Sequence, residues 1–530
     1  MIYHSIIKDK LKLSKEIIRV NQDYLSRIDG NWIEFQDIGK EFIDKKHRYS
    51  FDLDIVGEKS LFQLINITNT WTGRTKLVNA LLNPKYSKAE IELRQEAVQE
   101  LSTKLDFIQN MQVVSFKHKE ELQNPDKLIE YAKAKEESVK SKDIKDLIYL
   151  IPVITIPIAI AIIIFKIKTI YLLIPVMIII QAILWLIGFG KNNEVLGSVS
   201  SFKRTLETYV NILKILEKEK FQSKKLQDLK SILFNESDSS ILAIKELDKI
   251  SEKINLRYNN TLNLVLNLVV LWDYECVFLL EKWKKQYGLK VEKWIEAIGE
   301  IEALMSLSVL MQISENTSFP WINNSNPKVK AKTLGHPLIN SDEIVPNDVE
   351  MDNSIFIITG SNMSGKTTFL RTLGINLVLA YSGAPVYAKE MECSILDIFT
   401  SMRITDDLRN GVSTFYAELL RIKDIIDYGK NNKMIFLIDE IFRGTNSLDR
   451  ILGAKNVLLN LEKLGAIGAI TTHDLELCKL DIYNRIKNYN FSEEYKDNKI
   501  NFDYKIKEGK SNSTNAKYLM NLVGIEILNN

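Results

Sequence analysis

The sequence has few of the residues that build disulfide or metal sites. Its three cysteines and five histidines are scattered along 530 residues and include no C-x-x-C pair. This spacing gives no disulfide framework and no zinc site. The charge is equally uninformative, because 70 Lys and Arg against 68 Asp and Glu leave a net charge of +2. Composition therefore points to no acidic or basic partner, whereas 45% hydrophobic residues are enough for several packed cores.

One stretch carries a complete phosphate-binding pattern. An apolar, β-branched run typical of a buried strand breaks into the loop GSNMSGKTT at Gly360. This G-x-x-x-x-G-K-[ST] pattern, set between a strand and a helix, predicts that backbone N–H groups and a helix N-terminus surround a phosphate. Lys366 would supply charge to the β- and γ-phosphates, and Thr367 a hydroxyl to Mg²⁺. The residues assigned to the nucleotide are Gly360, Ser361, Asn362, Met363, Ser364, Gly365, Lys366, Thr367 and Thr368.

A second apolar run, MIFLIDE, ends in two carboxylates. The C-terminal edge of a parallel sheet is where α/β proteins bind ligands, so Asp439 and Glu440 are expected beside the phosphates. Asp439 would hold Mg²⁺ through its water shell, and Glu440 would orient or deprotonate the attacking water. A solvated acidic strand end is the alternative. The two patterns together predict an ATPase whose cofactors are ATP and Mg²⁺.

The main break in composition lies between residues 147 and 190. Residues 147–165 are 19 residues without a charge, and residues 169–190 are a further 22 after two lysines. At about 1.5 Å per residue the first run spans roughly 28 Å, close to the thickness of a bilayer's hydrocarbon. We expect two membrane-spanning helices in a hairpin, with both outer ends in the cytoplasm because lysines flank them. A very apolar hairpin buried in a dimer interface is the alternative.

The remaining sequence predicts helices before the nucleotide domain. Charged residues throughout the first 19 positions argue against a secretory signal. Residues 198–258 carry 12 basic against 9 acidic residues, which is compatible with a nucleic-acid surface or with an ordinary solvated helix face. Residues 262–272 are too short to span a membrane and predict a core helix. The expected parts are a helical arm (1–50), a first helical core segment (51–146), the transmembrane hairpin (147–190), a second helical segment (191–329) and an α/β ATPase domain (330–530).

These motifs together resemble the MutS family of DNA mismatch-repair ATPases, an ABC-type branch of the P-loop proteins. The resemblance is densest over residues 330–525, and residues 60–101 and 296–310 are similar to the two ends of the family's helical core. The stretches that carry it are GHPLI, VPND, GSNMSGKTTFLR, the serine-threonine-phenylalanine segment SMRITDDLRNGVSTFYAELLRIKDII, DEIFRGTNSLDR, TTHDLEL and the tail GKSNSTNAKYLMNLVGI. The fold implied is an α/β P-loop ATPase domain of ABC type, preceded by an all-α core that carries the hairpin.

The resemblance also implies roles for residues outside the phosphate loop. Ser413 of one subunit would reach the γ-phosphate bound by the other, so a homodimer through the ATPase domains is expected. His473 would contact the γ-phosphate or the water, and adenine would lie between Ile344 and Tyr504. Double-stranded DNA is the implied partner.

Two departures from the family bear on function. The sequence has no room for the family's mismatch-recognition domain, and its hairpin is inserted within the helical core. A membrane-associated MutS-like subgroup is the nearer resemblance. We therefore expect a DNA-binding ATPase dimer tethered to the inner face of the cytoplasmic membrane. The alternative is a membrane-anchored mechanical or signalling ATPase that acts on a protein or on the membrane. An ABC transporter is disfavoured, because two spans make a poor pathway and no LSGGQ-type signature lies between residues 366 and 439.

Overall fold

Helices dominate the chain up to Ile313, and most of the strands follow. The structure is a computed structural model that describes residues 2–84, 86–115, 124–134, 142–165, 173–200, 203–235, 238–324, 326–361, 363–403, 414–442, 446–496 and 499–511. The helices in the first part are α1 (Ile2–Ile28), α2 (Leu61–Ile65), α3 (Trp71–Leu82), α4 (Lys88–Ser102), α5 (Leu105–Ser115), α6 (Asp126–Lys133), α7 (Lys142–Phe165), α8 (Leu173–Ser200), α9 (Lys203–Lys218), α10 (Lys224–Leu233), α11 (Ser240–Asn255), α12 (Asn260–Val270) and α13 (Trp272–Ile313). A short hairpin of β1 (Phe234–Asn235) and β2 (Asp238–Ser239) separates α10 from α11.

The second part alternates strands with helices. Its elements are β3 (Trp321–Asn323), β4 (Lys328–Leu334), β5 (Asn347–Asp352), β6 (Ile355–Thr359), α14 (Lys366–Ser382), β7 (Glu390–Ser394), β8 (Asp397–Ser401), α15 (Thr414–Gly429), β9 (Met434–Ile438), α16 (Ser447–Lys463), β10 (Ile467–Thr472), β11 (Ile486–Lys496) and β12 (Lys499–Glu508). The described chain divides into a helical unit, within residues 1–20, 67–76 and 106–303, and an α/β unit, within residues 21–66, 77–105 and 304–530.

The main sheet of the α/β unit explains where its loops meet. Among the described residues its strand order is β12-β11-β6-β10-β9-β8, with every neighbouring pair parallel except β11 and β12. β6, β9 and β10 are buried along their whole length, which accounts for their continuous apolar sequences. Because parallel strands end at the same edge, the loops that follow these three strands lie side by side.

The residues before the helical core differ from the predicted arm. The arm was expected to be helical over residues 1–50, but α1 ends at Ile28 and short 3₁₀ turns follow at Asn31–Glu34 and Lys40–Phe42. Arg27, near the end of α1, is buried and donates hydrogen bonds to the carbonyl oxygens of Leu64 and Asn66, at 2.7 and 3.2 Å. The chain after α1 is therefore fixed by side-chain to backbone contacts, which a helical pattern does not reveal. A smaller sheet in the order β3-β7-β4-β5 was also not predicted.

The predicted membrane hairpin falls on α7 and α8, which border residues 166–172. These seven residues, where a turn is expected, lie outside the described part of the chain. Within the described chain, Leu173–Gly197 is the one helix that is long and apolar enough to cross a bilayer. Of its most apolar 18-residue stretch, 6% is buried in the protein. The described residues thus support the prediction of two spans for one helix. Large apolar side chains are nevertheless exposed along both helices, among them Val153, Ile164, Leu186 and Ile187.

The prediction of a core helix over residues 262–272 is wrong. α12 ends at Val270, and its buried residue is Asn267. Apolar side chains on the rest of its surface are exposed, with Leu264 at 47% and Val265 at 51%. The apolar sequence was a poor guide because the helix packs its polar side against the protein.

A buried carboxylate organises the helical unit. Glu302 on α13 is fully buried and accepts hydrogen bonds from the backbone N–H groups of Asn69 and Thr70 and from the Thr70 hydroxyl, just before α3 begins. The N–H groups at the start of a helix have no partners within the helix, and Glu302 supplies one. Burial raises the pKa of Glu302 to about 7, although the hydrogen bonds from Thr70 and Asn69 favour the charged form.

We expect the free energy of unfolding of the helical unit to fall as the pH rises from about 4.5 to about 7. The folded protein keeps the Glu302 proton over this range, whereas the unfolded chain, with the ordinary pKa, releases it. Glu302→Gln should remove this dependence, and the wild type should lose about 3 kcal/mol relative to the variant across the range.

The measurement is the thermal midpoint of both proteins at several pH values. Glu296→Gln, an exposed carboxylate on the same helix, is the control and should follow the wild type. Parallel pH profiles for wild type and Glu302→Gln would contradict the assignment.

Candidate nucleotide-binding and hydrolysis site

The loop between β6 and α14 has the backbone that phosphate binding requires. Gly360 and Gly365 have φ angles of 151° and 105°, in the region that favours glycine. A Cβ atom on Gly360 would lie 2.6 Å from the carbonyl oxygen of Phe491, so no side chain fits there. α14 begins at Lys366, and the N–H groups of its first turn therefore face the loop. Asn362 lies outside the described residues.

Lys366 is held at the mouth of this loop. Its ammonium donates hydrogen bonds to the carbonyl oxygens of Gly360 and Ser361, at 2.9 and 2.7 Å, and the residue is 5% exposed. Burial lowers the pKa of Lys366, while the carboxylates of Glu440 and Asp439 oppose that shift. The lysine is thus placed where a bound phosphate would meet a weakly hydrated positive charge.

Asp439 connects the phosphate-loop helix to the neighbouring strand. Its two carboxylate oxygens accept hydrogen bonds from the hydroxyls of Thr367, at 2.7 Å, and Thr471, at 2.5 Å. A hydroxyl and a carboxylate are the hard oxygen ligands that Mg²⁺ prefers, and P-loop sites complete the shell with water and phosphate oxygens. Within the described chain no group of three or more His, Cys, Asp or Glu forms a metal cage. Thr367 and Asp439 therefore fit Mg²⁺ that arrives with a nucleotide.

Glu440 and His473 form a pair beside Asp439. Glu440 has a φ of 48°, which is unusual for a residue with a side chain, and its N–H donates to the Thr471 hydroxyl at 2.9 Å. Nε2 of His473 lies 2.9 Å from Oε1 of Glu440, with the two side chains 42% and 19% exposed. Such a backbone is maintained only when neighbouring contacts fix it. The contacts aim a partly exposed carboxylate away from the strand end, where it can reach a water molecule.

A cavity of about 600 Å³ extends from the phosphate loop. It is lined by the phosphate-loop residues Met363 to Thr368, by Glu440 and by residues from other segments, namely Leu334, Gly335, His336, Ile339, Glu343, Ile344, Val345, Asn347, Phe491 and Tyr504. The two predicted adenine contacts, Ile344 and Tyr504, thus line the same cavity as the phosphate loop. Their role in stacking stays a prediction.

Two features of this cavity were not found from the sequence. His336 is 9% exposed, and burial lowers its pKa to about 4, so the imidazole is neutral near pH 7. The side chain of Asn347 donates to the carbonyl oxygen of Tyr504 at 2.9 Å and accepts from the N–H of Ile506 at 2.9 Å. This amide holds the β12 backbone at the cavity. No local pattern signals the contact, because Asn347 and its partners are far apart in the chain.

Glu493 was also missed. It lies on β11, is 7% exposed, and accepts a hydrogen bond at 2.9 Å from the hydroxyl of Ser361 in the phosphate loop. The Glu493 carboxylate therefore orients the Ser361 hydroxyl from β11, the strand that pairs with β6. Nothing in the local sequence marks it, since β11 carries two adjacent glutamates and the strand pairing selects which one reaches the loop.

A second cluster, also missed, surrounds Asp52. This fully buried carboxylate accepts hydrogen bonds from the Thr400 hydroxyl at 2.6 Å, from the N–H groups of Met402 and Arg403 at 3.2 and 3.0 Å, and from the guanidinium of Arg421 at 2.8 Å. Residues 400–403 include the end of β8, and Arg421 lies on α15. One carboxylate therefore holds the chain before and after residues 404–413.

Asp54 extends the cluster to the phosphate-loop helix. Its carboxylate accepts two hydrogen bonds from the guanidinium of Arg403, at 2.7 and 2.9 Å, and one from Arg371 on α14 at 3.2 Å. Paired Arg–carboxylate bonds of this kind fix orientation as well as distance. The Asp52–Asp54 cluster, defined by these two carboxylates, links α14 to both flanks of the segment that contains Ser413.

Ser413 itself lies outside the described residues. The acidic residue of its motif, Glu418 on α15, is 4% exposed and accepts a hydrogen bond from the N–H of Phe442 at 2.8 Å. Burial raises the pKa of Glu418. The contact fixes the loop after Glu440 against α15, so the described part of the serine-bearing motif and the acidic strand end are packed together.

These features define a P-loop nucleotide-binding domain. A glycine loop, its lysine and threonine, and an Asp–Glu pair on a parallel strand converge at one sheet edge, as this class of proteins requires. Residues 356–525 match the family model "MutS domain V". This part of the chain is therefore similar to domain V of the MutS family.

Curated relatives show the same similarity. The chain is 31% identical over 271 residues to the DNA mismatch repair protein MutS of Alkaliphilus metalliredigens, covering 49% of this chain and 30% of that protein. It is 33% identical over 246 residues to the MutS protein of Bacillus velezensis, covering 45% and 28%. It is 29% identical over 324 residues to that of Petrotoga mobilis, covering 59% and 38%. The chain thus spans well under half the length of these relatives.

We expect Asp52→Asn to slow ATP turnover more than it weakens ATP binding. An amide cannot accept all four hydrogen bonds, so residues 400–403 and α15 lose their shared anchor, at a cost of about 2 kcal/mol in stability. The phosphate loop keeps its own contacts. Turnover should fall about tenfold or more while the nucleotide dissociation constant changes by less than threefold, a split that separates anchoring from nucleotide contact.

Asp397→Asn is the matched control. Asp397 lies in the same unit and is more exposed, and the described hydrogen bonds of its carboxylate go to Arg48 and Tyr428, at 3.2 and 2.7 Å. Two outcomes would show that the Asp52–Asp54 cluster does not position the segment that contains Ser413. One is an equal loss of ATP binding and ATP turnover in Asp52→Asn, and the other is ATP turnover in Asp52→Asn as high as in Asp397→Asn.

Proposed function

We propose that this chain binds ATP with Mg²⁺ and hydrolyses it. The observation that carries the proposal is the convergence of Lys366, Thr367, Asp439, Glu440 and His473 at the ends of three parallel strands. Lys366 neutralises the β- and γ-phosphates and the glycine loop wraps them. Glu440 orients or deprotonates the attacking water, and His473 steadies the Glu440 carboxylate. Mg²⁺, held by Thr367 and through water by Asp439, would neutralise charge on the phosphate oxygens.

The same proposal assigns the adenosine to the cavity beside the phosphate loop. Ile344 and Tyr504 line this cavity, and a cavity of about 600 Å³ is large enough for the base and ribose. An aliphatic side chain replaces one aromatic ring of the family's stacking pair. Adenine selectivity is therefore weaker than it would be between two rings.

We propose further that the active form is a homodimer through the α/β units. The resemblance to MutS assigns the γ-phosphate bound by one subunit to Ser413 of its twin. The Asp52–Asp54 cluster supports this role, because it attaches the flanks of the Ser413 segment to the phosphate-loop helix of the same subunit. Hydrolysis would then depend on closure of the dimer.

Two substitutions separate binding from turnover. Lys366→Ala should lose ATP binding, because Lys366 is the cation that the phosphate-loop motif supplies to the phosphates. Glu440→Gln should bind ATP normally, hydrolyse it at least a hundredfold more slowly, and accumulate as an ATP-bound dimer. The measurements are nucleotide affinity, steady-state turnover and molar mass with and without ATP. Unchanged turnover in Glu440→Gln would overturn the role of this carboxylate.

For the partner we propose double-stranded DNA, in a role related to mismatch repair. The support is that the relatives are DNA mismatch repair proteins, together with the similarity to the two ends of the family's helical core. Because the chain spans about a third of these relatives, the proposal concerns duplex binding and does not include mismatch recognition. We also propose that α7 and α8 tether the chain to the inner face of the cytoplasmic membrane, on the strength of their exposed apolar surfaces.

A second candidate function is a membrane-anchored mechanical or signalling ATPase without DNA. The exposed apolar side chains of α7 and α8 favour this candidate. They indicate contact with lipid more directly than the small excess of basic residues over 198–258 indicates contact with nucleic acid. The two candidates differ in one measurement. If DNA is the partner, the detergent-solubilised protein should bind a duplex in an ATP-sensitive manner, with an affinity that falls as salt rises. Absence of such binding at low salt would leave the second candidate.

A further inference from the structure

α12 has the exposure pattern of a helix that faces lipid. Its buried residue is Asn267, while large apolar side chains of the same helix are exposed by 37% to 51%. These exposed residues are Leu262, Leu264, Val265 and Val269. A helix on a water-exposed surface shows the opposite arrangement, with its polar residues outside.

The helix runs beside the second half of α8, in the opposite direction. The side chain of Gln181 donates to the carbonyl oxygen of Val269 at 3.2 Å, and the guanidinium of Arg257 donates to the side chain of Asn193 at 2.5 Å. Arg257, just before α12, thus contacts Asn193 near the end of α8. Val269, near the end of α12, contacts Gln181, which lies earlier in α8. Among the described helices, α8 is the one that is long and apolar enough to cross a bilayer. The exposed apolar side chains of α12 therefore lie next to those of α8 and enlarge one apolar surface.

The break after α12 is enclosed by protein. Leu271 has a φ of 52° and is 1% exposed, and the chain turns by 79° into α13. The fully buried Asp273 accepts from the indole N–H of Trp185 at 3.1 Å and forms an ion pair with Arg257 at 3.3 Å, and its own N–H donates to Asn267 at 2.9 Å. Irregular backbone at membrane depth is stable only where protein groups satisfy it, and this break meets that condition.

We propose that α12 is a half-length membrane helix, which enters the bilayer beside α8 and reaches its deepest point at Leu271, where the chain turns back towards the side from which it came. Its 11 residues span about 16 Å, roughly half of the hydrocarbon thickness. Lipid is the occupant, because the exposed side chains are aliphatic and continue the surface of an apolar helix. The inference rests on the proposed membrane attachment and extends it to a segment that is too short to be recognised as a span.

The test uses single-cysteine variants of the full chain in vesicles of phosphatidylcholine and phosphatidylglycerol. The three native cysteines are buried, so a bimane label reports on the introduced one. Val265→Cys probes α12, Ile183→Cys probes α8, and Leu289→Cys, at an exposed apolar position on α13, is the aqueous reference. We expect lipid-borne nitroxide to quench the first two labels at least threefold more than the third, and aqueous iodide to show the reverse order.

The outcomes separate this inference from the membrane attachment on which it rests. If the Ile183→Cys label is quenched from lipid but the Val265→Cys label is quenched by iodide, α12 lies outside the bilayer and the inference fails alone. A Val265→Cys label shielded from both quenchers means that α12 contacts protein, which also overturns the inference. If the Ile183→Cys label is quenched only by iodide, the attachment itself fails and the inference fails with it.

Discussion

The α/β unit depends on one carboxylate, that of Asp439. Its two oxygens accept hydrogen bonds from Thr367, on the helix that follows the phosphate loop, and from Thr471, at the end of the neighbouring strand. Since the Thr471 hydroxyl also receives the N–H of Glu440, the same small network sets the unusual backbone of the proposed base. The phosphate loop, the metal-binding oxygens and the water-activating carboxylate are therefore fixed relative to one another by hydrogen bonds that a parallel sheet aligns.

The Asp52–Asp54 cluster adds a second constraint. Three arginines from separate elements meet two carboxylates that lie far earlier in the sequence than their partners. Charges buried in this way are costly unless each is paired and hydrogen-bonded, and here the pairing is nearly complete around Asp52. Such a cluster ties the phosphate-loop helix to the segment that carries Ser413. It gives a physical route by which nucleotide contacts could be transmitted to the proposed dimer partner.

The helical unit shows the reverse relation between polarity and position. In α12 Asn267 is buried and several aliphatic side chains are exposed, and a tryptophan, an arginine and a glutamine surround the break that follows. Water does not stabilise this arrangement, whereas lipid does, because exposed aliphatic groups cost nothing there and broken backbone must be satisfied by protein. Attachment to lipid and nucleotide-dependent chemistry would thus be located in different units of one chain.

The sequence by itself determined the phosphate loop, the Asp439–Glu440 strand end and the histidine after β10, because each depends on consecutive residues whose spacing is set by local backbone geometry. Resemblance to a family predicted Ile344 and Tyr504 as adenine contacts, and the structure shows that both line one cavity. Only the tertiary structure decided that Asp52, Asp54, Glu493, His336 and Asn347 join the site, since their partners are distant in the chain and sheet order selects them. The same holds for α12, where an apolar sequence suits a core and a membrane equally, and only the side that packs against the protein tells them apart.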